Sequence, residues 1–167
     1  VALVGLLALL VGCGLLSKRE PVTVSDGRYV MGTVLEITLV GSDEGEARAA
    51  LAELFALAER LDALLTVYDP ESELSRLNRA AGQGRRAVDP ELARILALAK
   101  AYAHLTRGSF DVTVGPLVEL WAEAARLRTP PSAAELVRAC ERVGSEHVHI
   151  HTDGSAEIEK PGVSVNL

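Results

Sequence analysis

His147-Val148-His149-Ile150-His151-Thr152-Asp153-Gly154-Ser155-Ala156-Glu157-Ile158-Glu159 alternates in side-chain character on both sides of an Asp-Gly pair. Asp-Gly supplies the positive φ angles of a two-residue hairpin turn, so 147–152 and 155–159 read as paired strands. Residues 163–167 alternate again and read as the start of a further strand that leads onward. Upstream the period changes to that of a helix. Asp89-Pro90 has the N-cap and first-turn chemistry of a helix carrying Ile95, Leu98, Ala99 and Tyr102 to a stop at Gly108. Pro116 opens the next, which Thr129-Pro130-Pro131 ends, and Ser132-Ala133-Ala134-Glu135 forms a capping box for another that stops at Gly144. Leu51, Leu54, Leu57, Leu61, Leu64 and Leu65 mark a long helix over 43–65 with Ser42 as its cap. Residues 72–78 read as a single helical turn, Gly82-Gln83-Gly84 as a loop, and 28–40 as one half-buried strand. Strands and helices without strict βα alternation predict an α+β fold, an antiparallel or mixed sheet packed with helices.

With 167 residues, 49% hydrophobic and 24% charged, the chain falls in the globular class. The first 16 residues hold no charged or polar side chain except the Cys13 thiol. This run is shorter than the roughly 20 residues of a membrane-spanning helix. It fits a secretory hydrophobic region, and Leu10-Val11-Gly12-Cys13 resembles a bacterial lipobox. The expected organisation is a signal segment over 1–12 whose basic start is missing, a lipidated Cys13 with a polar tether over 13–27, and a domain over 28–167. Such a chain is held on the outer side of the cytoplasmic membrane by its lipid. A net charge of −6 argues against a nucleic-acid partner and against a polybasic membrane surface. Cys140 reads as a small buried helical residue, and a lipidated Cys13 leaves no disulfide.

Three blocks carry the chemistry. They are Met31-Gly32-Thr33, the run from Tyr68-Asp69-Pro70 to Leu77-Asn78, and the run from Gly108-Ser109-Phe110-Asp111 through Thr113, Gly115-Pro116-Leu117 to Trp121. In that order they resemble the ApbE family, the FAD-dependent protein FMN transferases, over about residues 29–167. The chain looks like the N-terminal part of such a domain.

The resemblance implies that Tyr68 stacks on the flavin with Met31 as its apolar partner, and that Ser109, Phe110 and Asp111 line the FAD site. It places Asn166 where the family has Asp or Asn at that site. It implies FAD as substrate, Mg2+ as cofactor with ligands outside these residues, and an acceptor protein, a subunit of a membrane redox complex, whose Thr or Ser hydroxyl receives FMN. It names no catalytic residue here, and because the flavin site would be finished by later residues, these 167 alone are expected not to transfer FMN. Read by themselves, the residues leave other roles open. Tyr68 suits a cleft because Asp69-Pro70 makes a turn, Met31 suits a core, and Phe110 and Trp121 fall at packing positions. A non-catalytic flavin- or solute-binding lipoprotein fits the same features. His147, His149 and His151 on one strand face suggest a zinc or copper carrier. Glu71 and Glu73 with Arg76 and Arg79 read as helix-surface pairs.

Overall fold

The computed structural model describes residues 20–167, so Cys13 and the signal segment lie outside the described residues. The chain forms two compact units, one ending at Glu59 and the other spanning Arg60–Leu167.

In the first unit β1 (Val22–Val30) and β2 (Thr33–Gly41) are antiparallel, paired from Val22 with Gly41 to Val30 with Thr33. The joining pair, Met31 (φ 53°) and Gly32 (φ 73°), has the two left-handed residues of a tight type I′ turn. Leu35, Ile37 and Leu39 share the inner face with Val22 and Val24, and α1 (Glu44–Leu65) lays Ala47, Leu51 and Phe55 against it. The Arg28 guanidinium sits 4.5 Å above the Phe55 ring and 2.8 Å from Glu59 Oε1, shielding one side of this small core.

The second unit has α2 (Glu73–Arg79), β3 (Arg86–Ala87), α3 (Pro90–Leu105), α4 (Gly115–Leu127), α5 (Ala133–Cys140), a 3-10 turn (Ser145–His147), β4 (Val148–Ile150) and β5 (Ser155–Ile158). Its sheet is antiparallel in the order β3-β5-β4. Leu74 and Leu77 of α2, Leu92, Leu96 and Ala99 of α3, Val148, Ala156 and Ile158 of the sheet, and Val112, Val163 and Val165 make one core. Leu74 and Leu92 are fully buried, each worth roughly 1.5–3 kcal/mol of apolar transfer. The α+β class is as expected, and so are the Asp89 cap and the Ser132–Glu135 capping box; the hairpin at Asp153-Gly154 forms too, but around a three-residue loop, 152–154, in which only Gly154 (φ 81°) is left-handed.

Several local expectations change. Residues 22–27, read as tether, are most of β1, and the single strand over 28–40 is a hairpin. Asp43, not Ser42, accepts the Glu46 N–H at the start of α1, because its carboxylate reaches the first turn at 3.0 Å. The helix expected to run to Gly108 ends at Leu105, with Arg107 (φ 53°) and Gly108 (φ 81°) turning the chain away. His147 belongs to the 3-10 turn and not to β4, so the three histidines do not share one strand. Cys140 is exposed because α5 turns Ala139, its neighbour, into the interior. Residues 163–167 are extended, with a single parallel bridge from Ser164 to Val114.

Candidate functional site

Tyr68 stands on a turn that is fixed by hydrogen bonds from both sides. Its N–H donates to Thr66 Oγ1 at 3.2 Å, Glu71 N–H to Asp69 Oδ1 at 2.8 Å, and Ser72 N–H to the Asp69 carbonyl at 3.1 Å. Ser72 then caps α2 by accepting from Ser75 N–H at 3.0 Å while its own hydroxyl donates to the Thr66 carbonyl at 2.5 Å. From α2, Arg76 donates to the Glu71 carbonyl at 2.5 Å and Arg79 to the Pro70 carbonyl. Arg79 lies only loosely, at 4.0 Å, from Glu71 Oε1, so the two arginines serve the turn's backbone more than its carboxylates. The outcome is a rigid turn whose aromatic side chain is 91% exposed. An apolar ring held out from a stiff support is suited to receive a flat partner.

The Phe-Asp-x-Thr-x-Gly-Pro run forms a second support. Asp111 Oδ1 accepts from Thr113 N–H (2.8 Å) and Thr113 Oγ1 (2.6 Å), and Oδ2 accepts from Ser145 N–H (3.0 Å). Thr113 is completely buried, and its hydroxyl accepts from Gly144 N–H at 2.7 Å. This latch ties the 111–114 loop to the chain after α5. A Cβ on Gly115 would lie 2.7 Å from the Ser164 carbonyl oxygen and closer still to Ser164 Oγ, so only glycine lets α4 start against 163–167. Pro116 then fits the first turn of α4, where its missing N–H is no loss.

Between these supports lies a cleft of about 470 Å3 walled by Tyr68, Asn78, Arg79, Glu119, Ser164 and Asn166. A second, more apolar hollow of about 510 Å3 is lined by Leu98, Tyr102, Ser109, Phe110, Asp111 and Asn166. Phe110 meets Tyr102 edge to face at a centroid distance of 6.4 Å. Asn166 lines both, and its N–H donates to the Val112 carbonyl at 2.8 Å. Thus the structure brings Tyr68 and Asn166 to one cleft and Ser109, Phe110 and Asp111 to the adjoining hollow. Met31 lies in the other unit, at the tip of its hairpin. Phe110 and Trp121, placed by spacing at packing positions, are each about half exposed.

Sequence reasoning missed Asn78, Gly115, Ser164 and Arg79 as parts of the cleft. Asn78 and Gly115 stand inside the quoted motif blocks, and that was the available signal. Among the described residues no group of three or more His, Cys, Asp or Glu is arranged to hold a metal ion. His149 instead faces Glu159 at 3.1 Å and His151 faces Glu157 at 3.3 Å, one imidazole to one carboxylate.

The ApbE family profile matches residues 31–167. An FAD:protein FMN transferase of Klebsiella pneumoniae is 34% identical over 175 residues, covering 99% of this chain and 50% of that protein. One of Rhodobacter capsulatus is 37% identical over 134 residues, covering 80% of this chain and 25% of the relative. The solved flavin transferase ApbE from Vibrio cholerae superposes with a TM-score of 0.78 at 29% identity, over 87% of this chain and 48% of that one. The ApbE protein from Thermotoga maritima gives 0.77 at 26%, over 87% and 47%. The chain spans half or less of the length of these relatives.

Proposed function

The chain belongs to the ApbE family, and on that premise we propose that the protein transfers FMN from FAD to a Thr or Ser hydroxyl of an acceptor protein. The observation that carries this reading is convergence. Tyr68 and Asn78 from the two ends of the second motif block, Gly115 from the third, and Asn166 some fifty residues further along wall the same cleft. A core needs no exposed Tyr on a clamped turn beside a cleft whose wall mixes apolar side chains with Asn78, Arg79 and Asn166, whereas a flavin needs a ring face, edge partners and countercharge. In the proposal Tyr68 offers the ring face, Asn166 hydrogen-bonds the ring edge, and Arg79 is the cation at the cleft wall. The hollow lined by Ser109, Phe110 and Asp111 continues past Asn166 and takes a further part of the dinucleotide.

In the transfer the acceptor's hydroxyl oxygen bonds to the FMN phosphorus, the bond from that phosphorus to the bridging oxygen breaks, AMP departs with that oxygen, and the hydroxyl proton passes to solvent. Chemistry of this kind depends on positioning and on neutralising charge more than on a protein nucleophile. The residues supply the positioning: a rigid Tyr68 turn and a 163–167 segment held on both edges. The family resemblance also implies Mg2+. Among the described residues no group of three or more His, Cys, Asp or Glu is arranged to hold it. The proposal extends to a lipid anchor at Cys13, to action on the outer side of the cytoplasmic membrane, and to an acceptor that is a subunit of a membrane redox complex.

The test incubates the full-length protein with FAD, Mg2+ and an acceptor domain bearing the target Thr, and reads covalent flavin by in-gel fluorescence. A fluorescent acceptor, lost when its Thr is replaced by Val, is the expected result. Tight FAD binding with no labelled acceptor would replace this reading with that of a flavin-binding lipoprotein.

A further inference from the structure

Asn78 closes the open edge of 163–167 with its side chain alone. Its Nδ2 donates to the Val165 carbonyl at 2.8 Å and its Oδ1 accepts from Val165 N–H at 2.8 Å, across 87 residues of sequence. The carboxamide therefore copies what a neighbouring strand's peptide group would give, one donor and one acceptor to the same residue. Only one orientation of the amide satisfies both partners. On the opposite edge, Ser164 bridges to Val114 and Asn166 N–H reaches the Val112 carbonyl. The segment is pinned between a backbone on one side and one side chain on the other.

The alternation of an extended chain sets what this pin controls. Val163 and Val165 are each 1% exposed and belong to the core, while the partly exposed Ser164 and Asn166 present their side chains to the cleft, which Val165 also borders. We propose that Asn78 is a positioning residue of the flavin site, holding Val165 so that Ser164 and Asn166 face the ligand in fixed register. The inference rests on the reading of this cleft as the flavin site. Without Asn78, Val165 keeps its buried side chain but loses both backbone partners, and its neighbours lose their aim. Slippage by one residue would exchange the two faces, burying Asn166 and exposing the valines.

The test uses the full-length protein with Asn78→Ala, Asn78→Asp and, for comparison, Glu73→Ala. Glu73 also belongs to α2 and also makes a long-range bond, accepting the Asp89 N–H at 2.5 Å, but it does not wall this cleft. FAD affinity is measured by fluorescence titration, and exchange of the Val165 and Asn166 amides by NMR. Two lost hydrogen bonds correspond to about tenfold or more in an equilibrium constant. Asn78→Ala is expected to weaken FAD binding about tenfold and to speed exchange at Asn166 by a similar factor, with Glu73→Ala near parental in both. Asn78→Asp keeps the acceptor but sets an oxygen against the Val165 carbonyl, so it shifts both readouts the same way and serves if the alanine variant does not fold. Faster exchange with unchanged FAD affinity, or equal effects from Glu73→Ala, would overturn the positioning role. If the parent binds no FAD, the flavin reading fails separately, and exchange at Asn166 still decides whether Asn78 holds the segment.

Discussion

Gly115→Ala pits two rules of protein energetics against each other with opposite signs. Alanine is the better helix former by up to about 1 kcal/mol, and Gly115 is the first residue of α4, so propensity alone predicts a gain. The structure predicts a loss. The new methyl would lie 2.7 Å from the Ser164 carbonyl oxygen, well inside contact distance, and closer to Ser164 Oγ. The hydroxyl can rotate away, but the carbonyl cannot. It belongs to a segment whose flanking valines are buried and whose neighbouring residues are bonded to Asn78 and Val112. Overpacking of this sort costs roughly 1–3 kcal/mol before any propensity gain. We expect a net destabilisation of about 2 kcal/mol, which at about 4 °C per kcal/mol lowers the Tm by about 8 °C. Thermal unfolding followed by circular dichroism reads this directly. Adding Ser164→Ala should recover only part of the loss, because it removes the hydroxyl and leaves the carbonyl. A Tm at or above the parent's in Gly115→Ala would refute the argument that close approach fixes this glycine.

Tyr68→Ala should weaken FAD binding by about tenfold or more in a titration while moving stability by less than about 0.5 kcal/mol, since the ring stacks on nothing in the described chain's core. Asp111→Ala removes the acceptor of three hydrogen bonds and leaves the buried Thr113 hydroxyl with no acceptor for its proton, only the Gly144 N–H that donates to it. It should cost about 2–3 kcal/mol, read as a lower urea midpoint at unchanged slope. A pH series tests the capping box of α5, where the Ser132 hydroxyl, and then its N–H, hold the Glu135 carboxyl below its ordinary value. The folded pKa is the lower one, so this contribution is present above the ordinary carboxylate range and disappears as pH falls through the depressed value. The stability difference between parent and Glu135→Gln should therefore shrink on acidification, and a difference that grew would contradict the cap.

Local chemistry made part of this legible from sequence. Asp153-Gly154 between alternating runs, Asp89 before Pro90, and Ser132 three residues before Glu135 each satisfy their own backbone within four residues, so no tertiary information is needed. The first hairpin was harder. Met31-Gly32 carries only the glycine half of a type I′ signal, and the alternation runs on across the turn, which hides the break between β1 and β2. Ser25, Asp26 and Gly27 look like linker but sit in a strand whose outward positions are exposed. For the site, the motif blocks pointed to Tyr68 and the 109–111 loop, and the family resemblance to Asn166, but not to how they are joined. The Asp111–Ser145 and Asn78–Val165 bonds link residues 34 and 87 apart, and nothing in local spacing announces them.

In the proposed function the flavin ring sits in the cleft between the Tyr68 turn and 163–167. A crystal structure of the full-length protein soaked or grown with FAD measures this most directly. The expected result is an isoalloxazine ring in stacking contact with Tyr68 and an Asn166 side chain within hydrogen-bond distance of the ring edge. A ring seated elsewhere, for instance against Leu98 and Tyr102 with Tyr68 left exposed to solvent, would contradict it.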